Sequence, residues 1–127
     1  LSEVTDCLSI ATTDDGFVIY SGAVNVLEYK EFWDIDVAKS TLKILDDYGT
    51  LNKIFQSILP GQEVYTLIGD EIPVENLNKS TIIFCPLRVG EKSGNIAVLG
   101  PARMNYSKII PIIKYTKKIL EELGGSW

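Results

Sequence analysis

Gly94-Asn95-Ile96-Ala97-Val98-Leu99-Gly100-Pro101-Ala102-Arg103-Met104-Asn105-Tyr106 carries the chain from a strand through a break into its last helix. Residues 95–99 are β-formers, and Gly100-Pro101 punctuates their end. Asn105 or Ser107 can cap the helix that follows. Immediately upstream, residues 80–89 (Ser80-Thr81-Ile82-Ile83-Phe84-Cys85-Pro86-Leu87-Arg88-Val89) read as a strong strand, with a polar connection over 90–94. Two β-rich runs joined this way predict a hairpin. Pro86 inside the first of them predicts an edge position or a bulge. Downstream, residues 106–123 predict a helix with Ile109, Ile112, Ile113, Thr116, Ile119, Leu120 and Leu123 inward. Lysines and glutamates face out, Pro111 predicts an irregular start or a kink, and Gly124-Gly125 predicts the stop. Residues 124–127 read as a tail.

Working back from the hairpin, residues 63–68 alternate as a strand. Gly69-Asp70-Glu71 and Ile72-Pro73 follow, then a turn or short helix over 74–77. Residues 34–47 and 50–59 predict two amphipathic helices. Asp34 or Asp36 caps the first, on which Ile35, Ala38, Leu42 and Leu45 share a face. Leu51, Ile54, Phe55, Ile58 and Leu59 share a face of the second. Tyr48-Gly49 closes the first helix, and Pro60-Gly61 ends the second. A short helix is expected over 23–31. Two short strands, 5–12 and 17–20, flank the Asp14-Asp15-Gly16 turn signal and could form a hairpin. The order ββ-ααα-β-ββ-α predicts an α+β fold, an antiparallel β-sheet with helices packed against it.

The 127 residues predict a single domain, and the hydrophobic content of 46% suits a buried core. No apolar run is long enough to span a bilayer, so no membrane association is expected. The chain begins Leu1-Ser2-Glu3-Val4, without a signal peptide, which reads as a fragment or processed product of a cytoplasmic protein. The net charge of −5, with Arg88 and Arg103 the only arginines, predicts that this surface does not bind DNA by itself. Cys7 and Cys85 sit in apolar settings and read as small buried hydrophobes on strands.

Enzyme chemistry finds little support. With no histidine in the chain, Ser9, Ser21, Ser57 and Cys85 have no usual base to activate them. Gly69-Asp70-Glu71 resembles an acidic corner but supplies too few oxygen ligands for a hard cation. Gly90, Gly94 and Gly100 sit at a hairpin turn and a strand end, without the strand-to-helix Lys-Ser/Thr pattern of a phosphate loop. No cofactor, metal or catalytic residue is expected. The candidate functional motif is Gly100, Pro101, Arg103, Met104 and Tyr106. Arg103 beside Met104 and Tyr106 has the make-up of an interface anchor. Its structural alternative has Arg103 capping or pairing with a carboxylate while Met104 and Tyr106 pack under the helix.

The Gly-Pro-x-Arg-Met-Asn-Tyr run resembles the signature of the heat-inducible transcription repressor family (HrcA). Gly22-Ala23-Val24-Asn25-Val26-Leu27-Glu28-Tyr29-Lys30-Glu31-Phe32 is similar to that family's Gly-x-x-Asn-Leu-Leu-x-x-Pro-Glu-Phe helix, with Lys30 in place of the proline. Ile68-Gly69-Asp70-Glu71 is similar to its Ile-Gly-Glu-Glu, and residues 22–123 follow its pattern throughout. Residues 1–21 look like a shortened form of its opening strands. Only residues 13–21 occupy the place of the family's inserted dimerisation domain.

The resemblance implies a GAF-like regulatory domain and a role in repressing chaperone operons. It implies several partners: a winged helix-turn-helix domain preceding this one, an inverted-repeat operator DNA bound only through that domain, and a chaperonin that keeps the repressor active. It also leaves a homodimer as a candidate assembly. A small-molecule-sensing GAF-like domain is the alternative reading.

Overall fold

The hairpin read from residues 80–99 is the centre of the fold. In a computed structural model describing residues 5–125, β4 (Ser80–Val89) and β5 (Lys92–Pro101) pair along their whole length, from Ser80 opposite Pro101 to Val89 opposite Lys92. The connection is shorter than the polar run over 90–94 suggested. Gly90 and Glu91 alone join the strands, and Gly90, at φ 65°, takes the left-handed conformation a tight turn requires. The other end also differs from expectation. Gly100 and Pro101 stay in the ladder opposite Thr81 and Ser80, so the chain leaves the sheet only at Ala102.

β1 (Leu8–Thr13) and β2 (Val18–Ser21) form the second hairpin, and β1 lies against β5. The first strand starts at Leu8 rather than residue 5, which leaves Cys7 just before it and not on it. Residues 1–4 of the opening segment and 126–127 of the tail lie outside the described residues. β3 (Tyr65–Ile68) completes a five-stranded antiparallel sheet in the order β2-β1-β5-β4-β3.

Pro86 occupies the edge position predicted for it, although β4 is an inner strand. β3 stops at Tyr65 opposite Phe84, so β4 beyond Phe84 has no neighbour on that side. Arg88, of the same parity as Pro86, donates its backbone N–H away from β5 to the Glu121 carboxylate (3.0 Å). The donor that proline lacks would therefore point outward, and no ladder bond is lost. Further along this edge, the Glu71 carboxylate accepts the Ile68 backbone N–H (2.9 Å).

Between β2 and β3 the chain is helical. The expected helix over 23–31 is broken into α1 (Ala23–Leu27) and a 3-10 turn (Lys30–Phe32). α2 (Ile35–Asp46) starts at Asp34, whose carboxylate accepts the N–H groups of Asp36 (2.8 Å) and Val37 (3.4 Å). Asp47 then both ends α2 and caps α3 (Tyr48–Phe55), accepting from the Gly49 N–H (2.9 Å) and the Thr50 hydroxyl (3.0 Å). Tyr48 therefore opens a helix where the sequence suggested a closure. A second 3-10 turn covers Gly69–Glu71.

α4 (Tyr106–Gly125) runs without interruption through Pro111 and includes Gly124 and Gly125, so neither the irregular start nor the stop falls where expected. Its cap is Asn105, whose Oδ1 accepts from the Lys108 N–H (3.3 Å). Two of the expected helix faces are rotated. α2 buries Thr41, Ile44 and Leu45, leaving Ile35 and Leu42 exposed. On α4, Ile119 and Leu123 are exposed while Ile109 and Ile113 are buried, and Leu59 beyond α3 is 87% exposed.

The architecture is α+β with an apolar layer on each face of the sheet. Alternate residues of β4 and β5 point to opposite faces. Leu8, Ile10, Ile82, Phe84, Ala97 and Leu99 pack under α1, α2 and α3, where Phe84 lies between the rings of Phe55 (5.0 Å) and Tyr65 (5.3 Å). Ile83, Cys85, Ile96 and Val98 pack under Ile109 and Ile113 of α4, with Cys7 and Met104 closing one end.

Candidate functional site

The motif at residues 100–106 forms one corner, joining the ends of β5 and α4 to the start of β4. Gly100 is the tightest point. A Cβ there would stand 2.6 Å from Cys7 Sγ and 2.8 Å from Met104 Cε, closer than such atoms approach. Pro101 is buried, and its carbonyl accepts the Met104 N–H (3.0 Å), while the Ala102 N–H donates to the Lys79 carbonyl (2.9 Å). The Tyr106 hydroxyl donates to the Ala102 carbonyl, which leaves Thr81 Oγ1 to donate its proton to the phenol oxygen (2.8 Å). The buried hydroxyl of Thr81 is thereby satisfied, as burial demands.

Arg103 is the member of the motif that reaches solvent. Its Nε donates to Glu31 Oε2 (2.8 Å) and its Nη2 to Glu31 Oε1 (3.3 Å), a two-pronged pairing across 72 residues of sequence. Its guanidinium carbon lies 5.4 Å from the centre of the Tyr29 ring, within cation–π range. Burial works against ionisation of Glu31, but the Arg103 hydrogen bond, helped by the charges of Arg103 and Lys79, holds the carboxyl below its ordinary value of 4.5. Lys30 and Lys79 join Arg103 and Glu31 around an open surface cleft.

The motif residues thus come together but divide in role. Gly100, Pro101 and Met104 are core residues, and Tyr106 is half-buried with its hydroxyl engaged. Arg103 has the carboxylate partner that the structural alternative foresaw, and it remains exposed. The cleft residues Glu31, Lys30 and Lys79, and the Tyr29 ring beside Arg103, were not singled out from the sequence as functional. The available signals were Glu31, which keeps the family-like pattern, and Lys30, which departs from it.

The remaining candidates are scattered. Asp70 and Glu71 sit on the 3-10 turn after β3, where Glu71 is occupied by the Ile68 N–H. Cys7 and Cys85 are buried free thiols, and burial, reinforced by Asp6 and only partly offset by Lys108, pushes Cys7 up to about 11. Among the described residues, no group of three or more acidic or cysteine side chains could hold a metal ion, and no helix is long and apolar enough to cross a membrane.

Comparison with known proteins draws these features together. The family model described as the HrcA protein C-terminal domain matches residues 1–110. A heat-inducible transcription repressor HrcA of Clostridium perfringens (strain 13 / Type A) is 36% identical over 106 residues, covering 83% of this chain and 30% of the relative. The protein of the same description from Acetivibrio thermocellus is 30% identical over 124 residues, covering 96% of this chain and 35% of the relative. The chain therefore spans about a third of the length of the curated relatives it matches. A solved structure described as a hypothetical protein at 2.2 Å resolution shares the fold, with a TM-score of 0.71 at 20% identity over 86% of this chain and 32% of that one.

Proposed function

The chain belongs to the HrcA C-terminal domain family, and on that premise we propose that it is the regulatory body of a heat-inducible transcription repressor. In this reading it catalyses nothing and works in the cytoplasm as a frame. It holds winged helix-turn-helix modules outside this chain at a set spacing on an inverted-repeat operator, and so represses chaperone operons. Paired helix-turn-helix modules read half-sites about 34 Å, or a multiple of that, apart, so a rigid body between them is a mechanical requirement. A chaperonin is the partner that keeps the repressor in its active form.

The observation that carries this reading is the family match over residues 1–110. The chain's own chemistry is consistent with it. A net charge of −5 repels phosphate, which supports DNA contacts made by other modules. The corner at residues 100–106 ties the entry of α4 to the segment carrying Glu31, next to Phe32 of the opposite apolar layer. Loss of this frame on heating would release the operator. In a domain of this size, each kcal/mol of stability moves the midpoint by roughly 4 °C.

The test is fluorescence anisotropy of an inverted-repeat operator titrated with the full-length parent protein, with and without chaperonin. Tight binding by the parent, strengthened by chaperonin, with none by the 127-residue chain, is the expected result. Absence of operator binding by the parent under every condition would overturn the reading.

A further inference from the structure

The cleft beside Arg103 reverses the charge of the chain locally. Its lining is three cations, Lys30, Lys79 and Arg103, and one carboxylate, Glu31, so it carries +2 on a chain of net −5. Asp6 and Lys108, which act on the nearby Cys7 thiol, add one charge of each sign and leave the sum unchanged. Glu31 is taken by Arg103. Among the described residues, neither Lys30 nor Lys79 has an ion-pair partner.

The arginine is fixed from behind. Glu31 accepts from Nε and Nη2, and the Tyr29 ring lies within reach of the guanidinium. Both donors of Nη1 remain without a partner among the described residues. Glu31 is the sheltered end of the pair, its side chain 15% exposed against 65% for Arg103. A guanidinium ordered in advance loses little entropy when a further carboxylate arrives.

An exposed tryptophan stands next to the cleft. Trp33 is 66% exposed, and its backbone N–H donates to the Lys30 carbonyl (3.1 Å) at the end of the 3-10 turn. Side chains three apart on such a turn eclipse one another, so Trp33 shares a side with Lys30. Asp34 and Asp36, which follow, serve the N-terminus of α2, one as its cap and the other in its first turn. Tryptophan and arginine are the residue types that carry most binding energy where proteins meet.

The cleft is open, about 510 Å³, and walled by charged side chains, whereas small-molecule sites are enclosed and mostly apolar. We infer that this surface docks an acidic segment of another polypeptide. Its carboxylates meet Lys30, Lys79 and Nη1 of Arg103, and an apolar side chain of the same segment covers Trp33. Docking needs no operator and no other module, so it stands apart from the repressor reading.

The experiment is a titration of the 127-residue chain carrying Trp127→Phe, which leaves Trp33 as its sole tryptophan. The probe is a short fluorescein-labelled peptide of glutamates around a central leucine. Anisotropy reports its binding, and Trp33 emission reports its place. The expected result is saturable binding that shifts Trp33 emission and fades as salt screens the charges. Lys30→Glu and Lys79→Glu should each weaken it about tenfold, with circular dichroism unchanged. Lys117→Glu makes the same charge change on α4, across the sheet, and leaves binding intact. Absence of binding overturns the inference, as does binding that leaves Trp33 emission unmoved. An equal loss from Lys117→Glu overturns it too, by reducing the effect to net charge. So does displacement of the peptide by inorganic phosphate or a DNA duplex at equal concentration, which would give the cleft to a free oxyanion or to nucleic acid.

Discussion

The two faces of the sheet are built to different specifications. Under α1, α2 and α3 the apolar layer spans the full breadth of the sheet and is filled by large, well-defined side chains such as Phe32, Phe84, Leu51 and Ile54, all fully buried. Under α4 the layer is narrow, covers chiefly β4 and β5, and includes soft or small groups: Cys85 within it and Cys7 and Met104 at one end. One helix cannot roof five strands. The difference separates a face that holds the fold together from a face that leaves apolar surface available, and it places the corner at residues 100–106 on the thinner side.

The largest effect should come from the thick face. Phe84→Ala removes a ring held between Phe55 and Tyr65, and should cost about 4 kcal/mol in urea unfolding. A loss below ~1 kcal/mol would erase the contrast between the faces. On the thin face, Ile113→Ala should cost about 3 kcal/mol, since α4 has few other fully buried anchors. Gly100→Ala should cost about 2 kcal/mol because the new methyl meets Cys7 Sγ and Met104 Cε. The double variant with Cys7→Ala should recover part of that loss, and its failure to do so would place the strain in the backbone instead.

Smaller still is the tie between the faces. Arg103→Ala should cost about 1 kcal/mol, because the arginine end of the pair with Glu31 is exposed. Glu31 has a folded-state carboxyl below its ordinary value of 4.5, so its contribution is present above that pH and is lost as acid takes the pH through the lowered value. Arg103→Ala should flatten that part of the acid unfolding curve. The least effect is at neutral pH on the thiols. Cys7, raised to about 11, should resist a thiol reagent in the folded chain and react after denaturation. The unfolded chain ionises first above its ordinary value of 9.0, so stability should fall as pH climbs from there towards 11. Rapid labelling of Cys7 in the native protein would mean that the thin layer opens.

Much of this fold was legible locally. The boundaries of β4 follow from a run of β-formers that Pro86 interrupts, and α2 from Asp34 and its helical spacing. What stayed hidden was decided by distant partners. On α2, Ile35 and Leu42 keep helical spacing as well as Thr41 and Ile44 do, and only the position of the sheet chooses between the rows. On α4, Ile119 and Leu123 satisfy the periodicity while facing away from the sheet. Gly100-Pro101 looked like a break, yet its pairing with Ser80 and Thr81 keeps it in the ladder. The corner motif stood out as a run of residues, and Glu31 lay within the Gly22–Phe32 run, but the two are 72 positions apart and no local pattern pairs them.

The far edge of the sheet carries a last consequence. Pro86 offers no donor there, and the Arg88 and Ile68 N–H groups are already taken by Glu121 and Glu71. In the language of polymer chemistry, these groups act as chain stoppers. A strand arriving at that edge from another molecule would find these positions already capped.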